Sequence, residues 1–500
     1  MKKLLLLLAS VSILSCSSHL ANDSKKDRII IAGKVINYDP LNPIISLAAN
    51  RIAVERDVIK VVLDDEGNFK ASFKSTIPID FFVGYKTNFL VLAHPGDSIY
   101  VEFNGAADDR PLLYQTIKFS GNFAKGNQDV SAFQNMYFSN NFYPNIEKRR
   151  SLMKFYDPVR FKTYMDSCRA EWYILLNKFI DKYKPTDEVK IWTRTELDVD
   201  YFRDLLRYPD IHIRENNRDN EELLVPFSYF DFMKDHFKID ESVLISGYSI
   251  FGFVDFYGSY IMEIVRRENQ LFFSSPDSII KHPEIMDSLQ FFGTINNTKD
   301  PLLRQMALTE MLFEGLEFSK VEIIEKYSNK IDEIITEPYL KKPLLDEYHI
   351  TKDRLKNPKI ASDVILNKLK GTSVKMAVDS IINLNKGKVI YIDCWATWCG
   401  PCLSEMPNSK LLMDEYKTKN VAFVFICLDS DEKSWKAALS KLSLKGQHFF
   451  LSKEQSTDFR SLFEINGIPH YILIDKTGAI SENRTLRPSM IMDRLNNLLK

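Results

Sequence analysis

An apolar run, Val389 to Asp393, passes directly into Cys394-Trp395-Ala396-Thr397-Trp398-Cys399-Gly400-Pro401-Cys402. This junction constrains the fold more than any other stretch, because it predicts a buried strand that ends where a helix begins, with Cys399 at the helix N-terminus. Unpaired N–H groups and the positive end of the helix dipole favour an anion there, so Cys399 is the sulfur expected to lose its proton and attack. Cys402 lies one turn further in and is expected to be shielded. Three-residue spacing brings the two sulfurs within bonding reach, which places Cys402 to resolve a mixed disulfide by attacking Cys399. Half of a zinc site has the same spacing, but the chain has no second Cys-x-x-Cys and no paired-histidine motif, so no metal is expected. The redox-active disulfide is then the whole chemical equipment, with no cofactor.

The N-terminus carries an address. Lys2 and Lys3 precede an apolar run from Leu4 to Leu14, followed by Ser15, Cys16 and a polar stretch. That run reads as an export signal and is too short to span about 30 Å of hydrocarbon. Export places the rest of the chain where thiols tend to be oxidised. Lys plus Arg number 66 against 67 for Asp plus Glu, a formal net charge of -1, so no electrostatic footprint for a nucleic-acid partner is present. Six cysteines in 500 residues are too few for a disulfide scaffold, whereas the length suits two to four domains.

From Arg28 to about Asn122, short β-branched or aromatic runs broken by turn residues predict antiparallel β structure: Ile29 to Ile36, Val58 to Val62, Phe69 to Phe73, Phe81 to Tyr85, Phe89 to Leu92 and Ile99 to Phe103. Asp64 to Asn68 reads as a hairpin turn and Pro95-Gly96-Asp97 as a second turn. Helical periodicity follows, clearest in the stripe Trp172, Leu175, Leu176, Phe179, Ile180 and Tyr183. Tyr208-Pro209-Asp210 and Asn216 to Asn220 read as breaks between helices. Phe251, Phe253, Phe256 and Tyr257 fit either a packed bundle or a groove for a peptide-like client. After Asn357-Pro358, strands (Val389 to Asp393, Val421 to Leu428, Phe449 to Leu451, Tyr471 to Ile474) alternate with helices after Cys399, Glu432, Thr457 and Pro488, the α/β pattern.

These motifs carry several resemblances. The small residues before Cys16 resemble a bacterial lipobox, although Ile13 departs from its usual leucine; the resemblance implies that Cys16 is a lipid anchor rather than a redox group. The β layout, with Pro95-Gly96-Asp97-Ser98-Ile99-Tyr100, resembles the β domain that precedes thioredoxin-like domains in lipoproteins of Gram-negative bacteria. Trp398-Cys399-Gly400-Pro401-Cys402 after a strand resembles the thioredoxin superfamily, and Asp393 matches its buried acid, which accepts the proton of the resolving thiol. Trp398-Cys399-x-Pro401-Cys402-x-x-Glu405-x-Pro407 is similar to the TlpA and ResA-like branch of membrane-tethered thiol-disulfide reductases, in which the glutamate tunes the thiols. Glu405 lies at i+3 from Cys402, close enough to alter its proton affinity, though an exposed helical glutamate is the competing reading. Gly467-Ile468-Pro469-His470 resembles the cis-proline loop, which implies that Pro469 faces the disulfide and that Ile468 offers its backbone to an extended substrate strand, beside Trp398, Gly400 and Pro401. His470 reads as a surface histidine, Cys394 and Cys427 as buried small hydrophobes, and Cys168 has no assigned partner.

The expected layout is therefore a multidomain chain: a lipoprotein signal over 1–16, a β-sandwich-like domain over 27–126, a helical domain over 128–356 and a thioredoxin-like α/β domain over 358–500. The function that the resemblance implies is an envelope-located, membrane-anchored, periplasm-facing protein-disulfide reductase. Its partners would be disulfide-containing exported proteins and a membrane thiol electron donor. Two other readings stay open: a disulfide oxidase or isomerase, and a binding or assembly lipoprotein with an accessory redox domain. A thiol peroxidase is disfavoured, because Thr397-Trp398-Cys399 is one residue short of the peroxidatic spacing and lacks its proline.

Overall fold

Side-chain alternation explains how the first strands pair. Along β1 (Arg28–Ile36), Ile29, Ile31 and Val35 are buried with partly exposed residues between them, so one face of the strand must be covered. The computed structural model describes residues 25–50, 56–139, 146–216, 225–235, 238–274, 282–362, 364–368 and 373–500; the signal stretch and Cys16 lie outside the described residues. Within them, β1, β2 (Ile44–Asn50), β3 (Arg56–Val62), β4 (Asn68–Lys74), β5 (Ile79–Gly84), β6 (Asn88–Ala93), β7 (Ser98–Asn104) and β8 (Lys118–Gly121) form two sheets, ordered β4-β1-β7-β8 and β3-β2-β5-β6. Their inner faces share one core that includes Ile31, Leu47, Phe81, Val91, Val101 and Phe103. The pairings are antiparallel except that of β1 with β7, which is parallel. β2, whose second half is Ala48-Ala49-Asn50, and four-residue β8 are not read as strands from sequence.

The turn at Asp64 to Asn68 forms, with Gly67 at φ 81° and the Asp64 carboxylate accepting from the Glu66 and Asn68 amides. It does not close a hairpin. The strands on either side enter different sheets, β4 pairing with β1 instead, so the turn is a corner of the sandwich.

The helices that follow obey their stripes. Pro158–Tyr183 buries Trp172, Leu175, Leu176 and Phe179 and is capped by the Asp157 side chain, which accepts from the Arg160 amide. Tyr208-Pro209-Asp210 is not a break: helix Asp187–Glu215 runs through it. A proline inside a helix has no N–H for the carbonyl four residues back, here that of Leu205. The Tyr229 hydroxyl donates to that carbonyl at 2.9 Å and satisfies it, so a contact distant in sequence rescues a helix that local signals would end. Phe251, Phe253 and Tyr257 are buried in the core, whereas Phe256 is partly exposed with Arg207 over its ring at 5.3 Å.

The chain forms two compact units, 1–257 and 258–500, and the division falls inside helix Gly247–Glu268. In the first unit, the Asn127 side chain on helix Ala124–Ser139 both accepts from and donates to the Leu92 backbone of β6. Asp80 of β5, which is buried, accepts from Trp192 Nε1 at 3.3 Å and from the Tyr248 amide at 2.8 Å. In the second unit, helix Pro338–Lys356 packs on helix Glu432–Leu442.

A six-stranded sheet completes the second unit: β9 (Val364–Lys368), β10 (Val389–Trp395), β11 (Val421–Cys427), β12 (Gly446–Phe450), β13 (His470–Ile474) and β14 (Ile480–Glu482), ordered β14-β13-β10-β11-β12-β9. β10 is central, parallel to β11 and antiparallel to β13. Separate cores cover its two faces, which accounts for its unbroken apolar run. Helix Lys453–Leu462 begins before Thr457, because Ser452 and Gln455 form a capping box. Pro488 lies in a turn ahead of the last helix, Met492–Leu499, rather than in its first turn. No helix of the described residues is long and apolar enough to cross a membrane.

Tyr229→Phe leaves the Leu205 carbonyl buried without a donor and should lower stability by about 1–2 kcal/mol. Adding Pro209→Ala, which restores a backbone N–H there, should recover most of the loss. Thermal unfolding of the two variants checks this, and equal melting of Tyr229→Phe and wild type would contradict it.

Candidate active site

β10 delivers Asp393, Trp395 and the following Ala396-Thr397-Trp398 to the carboxyl end of a parallel strand, where loops have room to carry chemistry. There the chain turns into helix Gly400–Glu415. Cys399 is its N-cap, with extended backbone, and the Cys402 amide donates to Cys399 Sγ at 3.2 Å. The proline at Pro401 occupies the first turn, where its missing N–H leaves no bond unmade. Cys399 and Cys402 are joined in a disulfide, with Cα atoms 5.2 Å apart. Cys399 is 4% exposed and Cys402 1%, so both residues are buried in the oxidised chain.

Alternation along β10 puts Tyr391, Asp393 and Trp395 on one face and Ile390, Ile392 and Cys394 on the other. The first face is the one covered by the redox helix, because Tyr391 and Trp395 share a core with Cys399, Cys402 and Met406. Asp393 is buried, and neither carboxylate oxygen has a hydrogen-bond partner among the described residues. Burial first, and then the nearby Glu405 charge, push its carboxyl up to about 8. Such a group can take up and release a proton near neutral pH.

Glu405 is buried at 9% exposure, which decides against the exposed-helix reading. Its carboxylate accepts from Asn408 Nδ2 at 3.1 Å and lies 3.6 Å from Arg487 Nη1. Arg487 escaped the sequence reading, since it sits in a turn with no periodic pattern and is brought to Glu405 only by the fold. Pro407 lies inside the redox helix, as expected.

The Ile468–Pro469 peptide bond is cis. β13 begins immediately after it, and Cys394 pairs with His470 and Asp393 with Tyr471. The first residues of β13 thus lie beside the last residues of β10, so the cis-proline loop and the disulfide occupy the same end of the sheet. Ile468 packs against the core that holds both sulfurs. His470 is buried rather than on the surface, and burial lowers its proton affinity; it follows the proline into a strand that is buried along its whole length.

Trp398 is half exposed at 49%, and its indole Nε1 donates to the Asp429 carbonyl at 2.7 Å. Arg460 Nε in turn holds the Asp429 carboxylate at 2.7 Å. The Trp398 ring is therefore presented at the surface in a fixed pose beside the redox turn. At Gly400, a Cβ would lie 3.8 Å from the Phe318 ring, an ordinary van der Waals contact. Phe318, contributed by the helical part of this unit, is thus a neighbour of the redox turn that sequence reading also missed.

Cys394 belongs to the opposite core, and burial raises its thiol well above the usual range. Burial likewise pushes Cys427 up to about 12 and raises Cys168, in the first unit. These three are poor nucleophiles. No cluster of three or more metal-ligating side chains occurs among the described residues.

Part of this chain is similar to known proteins. Residues 387–480 match a family described as thioredoxin-like. The chain is 27% identical over 139 residues to the thiol-disulfide oxidoreductase ResA of Bacillus cereus, covering 28% of this chain and 75% of that protein. With the protein of the same name from Oceanobacillus iheyensis it shares 31% identity over 114 residues, 23% of this chain and 57% of the relative. Among solved structures, the thioredoxin domain of a thiol-disulfide oxidoreductase from Bacteroides vulgatus is 28% identical, with a TM-score of 0.22, over 24% of this chain and 84% of that one.

Because its carboxyl is raised to about 8, the folded chain holds a proton at Asp393 that the unfolded chain releases above about pH 4. Stability contributed by this site is accordingly present at low pH and lost as pH rises through that window. Asp393→Asn should stabilise the oxidised chain at pH 7.5, by an amount on the order of 5 kcal/mol, and have little effect at pH 4. Thermal unfolding at the two pH values measures the difference, and an equal effect at both would refute the assignment.

Proposed function

The C-terminal domain of this chain is a thioredoxin-like thiol-disulfide oxidoreductase domain, and from that premise we propose that the protein reduces disulfides of exported proteins through Cys399 and Cys402. The observation that carries this reading is the placement of the disulfide: Cys399 caps the redox helix with the Cys402 amide aimed at its sulfur, in front of a buried, unpartnered Asp393.

The steps follow from that arrangement. In the reduced chain, the Cys399 thiolate is stabilised by the helix N-terminus and attacks one sulfur of a substrate disulfide, forming a mixed disulfide and releasing the other sulfur as a thiolate. The ionised fraction of Asp393, which grows as pH approaches its raised value of about 8, takes the proton of the Cys402 thiol. The Cys402 thiolate then attacks Cys399 Sγ, the Cys399–substrate bond breaks, and the second substrate sulfur leaves. Two electrons have passed to the substrate, and the Cys399–Cys402 disulfide remains. Glu405 sets the charge next to this proton transfer. Trp398, Gly400, Pro401 and the cis-Pro469 loop form the contact surface, with the Ile468 backbone pairing with an extended substrate segment.

Regeneration requires a dithiol donor, for which a membrane thiol carrier is the fitting partner in an oxidising compartment. The export signal and Cys16 support attachment to the cell envelope of a Gram-negative bacterium by a lipid anchor, facing the periplasm. Gly-Pro between the cysteines and Ile468 before the cis-proline are the thioredoxin-like choices that favour reduction over oxidation. The remainder of the chain divides, in this reading, into a β-sandwich-like domain and a helical region ahead of the thioredoxin-like domain.

Equilibration of the purified chain in defined thiol buffers should give a reduction potential below about -230 mV, on the thioredoxin side of the range that separates thioredoxin from the oxidant DsbA. A value near -120 mV would make the protein an oxidase instead. Cys402→Ser should accumulate mixed disulfides with protein substrates on non-reducing gels, whereas Cys399→Ser should form none; trapping by the second variant would reverse the roles of the two sulfurs.

A further inference from the structure

Glu405 brings a second carboxylate to a site that already buries Asp393. The groups facing it come from three directions: Tyr391 and Asp393 from β10, Tyr471 from β13, and Arg487 from the segment between β14 and the last helix. The sulfurs lie on its own helix. Arg460, the other cation near this cluster, acts on Cys394 and is bonded to Asp429. Among the described residues, Arg487 is the cation paired with Glu405, at 3.6 Å.

The backbone holds Arg487 in reach. The Thr485 amide donates to the Tyr471 carbonyl at 2.9 Å, and the Tyr391 hydroxyl donates to the Leu486 carbonyl at 2.8 Å. Tyr391 and Tyr471 stack with centroids 5.6 Å apart, one on β10 and one on β13. The segment bearing Arg487 is therefore tied on its N-terminal side to the two strands that flank the proton-transfer site. At the other end, the Met490 amide donates to the Arg487 carbonyl at 2.9 Å and closes the turn.

We propose that Arg487 is a positioning residue for the dithiol, acting through Glu405: it anchors that carboxylate and offsets its charge beside the redox pair. This deepens the redox reading above and rests on it. Removal of the guanidinium leaves the Glu405 charge uncompensated beside Asp393, which shifts the proton equilibrium of the site upward. Arg487 is half exposed, so water and salt weaken the pair to the range of surface ion pairs, and the shift is correspondingly modest.

The test is the pH profile of thiol alkylation in the reduced full chain, compared for wild type, Arg487→Gln, Arg487→Lys, Glu405→Gln and the Glu405→Gln/Arg487→Gln double variant. Arg487→Gln should move the break in the profile up by about half a pH unit, and Arg487→Lys should stay near wild type. In the Glu405→Gln background the same substitution should move the break by less than about 0.2 unit, because the carboxylate through which it acts is gone. An unchanged break in Arg487→Gln, or an equal shift in the double variant, would overturn the proposal while leaving the redox reading intact. Absence of any titratable dithiol in the wild-type chain would overturn both. Melting of the oxidised variants separates a charge effect from misfolding, since Arg487→Lys keeps the charge and both single variants at this position keep the length to reach the loop surface.

Discussion

A carboxylic acid with no hydrogen-bond partner among the described residues, set in the middle strand of a sheet covered on both faces, is the constraint around which the second unit is organised. β10 is buried along its whole length, and each apolar side chain in it gains from leaving water, whereas Asp393 does not. The strand tolerates it because the neighbours are strong: parallel β11 on one side, antiparallel β13 on the other, and a core on either face. The same pairing aligns the end of β10 with the start of β13, so the acid, the disulfide and the cis-proline loop converge without any of them being on a long flexible loop. Stability is given up at one position, and a proton acceptor is held in a dry setting in return.

The helical residues of this unit do more than enclose it. Pro338–Lys356 packs on Glu432–Leu442, and the Lys359 amide donates to the Ser440 hydroxyl at 3.1 Å. Phe318 follows helix Pro301–Glu317 in a tight turn, with Ser319 at φ 62°, and reaches the start of the redox helix. The redox turn of this chain is consequently bordered by a ring from outside the six-stranded fold. In the first unit, helices and sheets are joined by buried polar groups instead, Asn127 on the β6 backbone and Asp80 against Trp192 and Tyr248.

What could be read in the sequence was what depends on short-range pattern. The strand-to-helix junction at Cys399, the placement of Asp393, Cys402 and Glu405, and the two β-turns are all set by residues within one or two turns of each other. What could not be read depends on contacts across the fold. Pro209 signals a break until Tyr229 supplies the missing donor to Leu205. Asp64 to Asn68 signals a hairpin, yet which sheet each flanking strand joins is decided by β1 and β2. His470 has the composition of a surface loop and the burial of a strand. Arg487 and Phe318 carry no local signature at all, because their relevance is created by their neighbours.

The fates of the sulfurs show a kind of insulation. Cys394, Cys399, Cys402 and Cys427 crowd into one small fold, and random oxidation among them would lock the domain in a dead state. Cys394 faces the opposite core from the redox pair, and Cys427 ends a buried strand; both thiols are held in their neutral, unreactive form. Thiol exchange needs a thiolate and a clear line of attack, and burial denies both to these two. For Cys394 the sheet works as a partition, since it lies in the opposite core; Cys427 shares the core of the redox pair and is kept apart from the chemistry by its neutral, buried thiol alone.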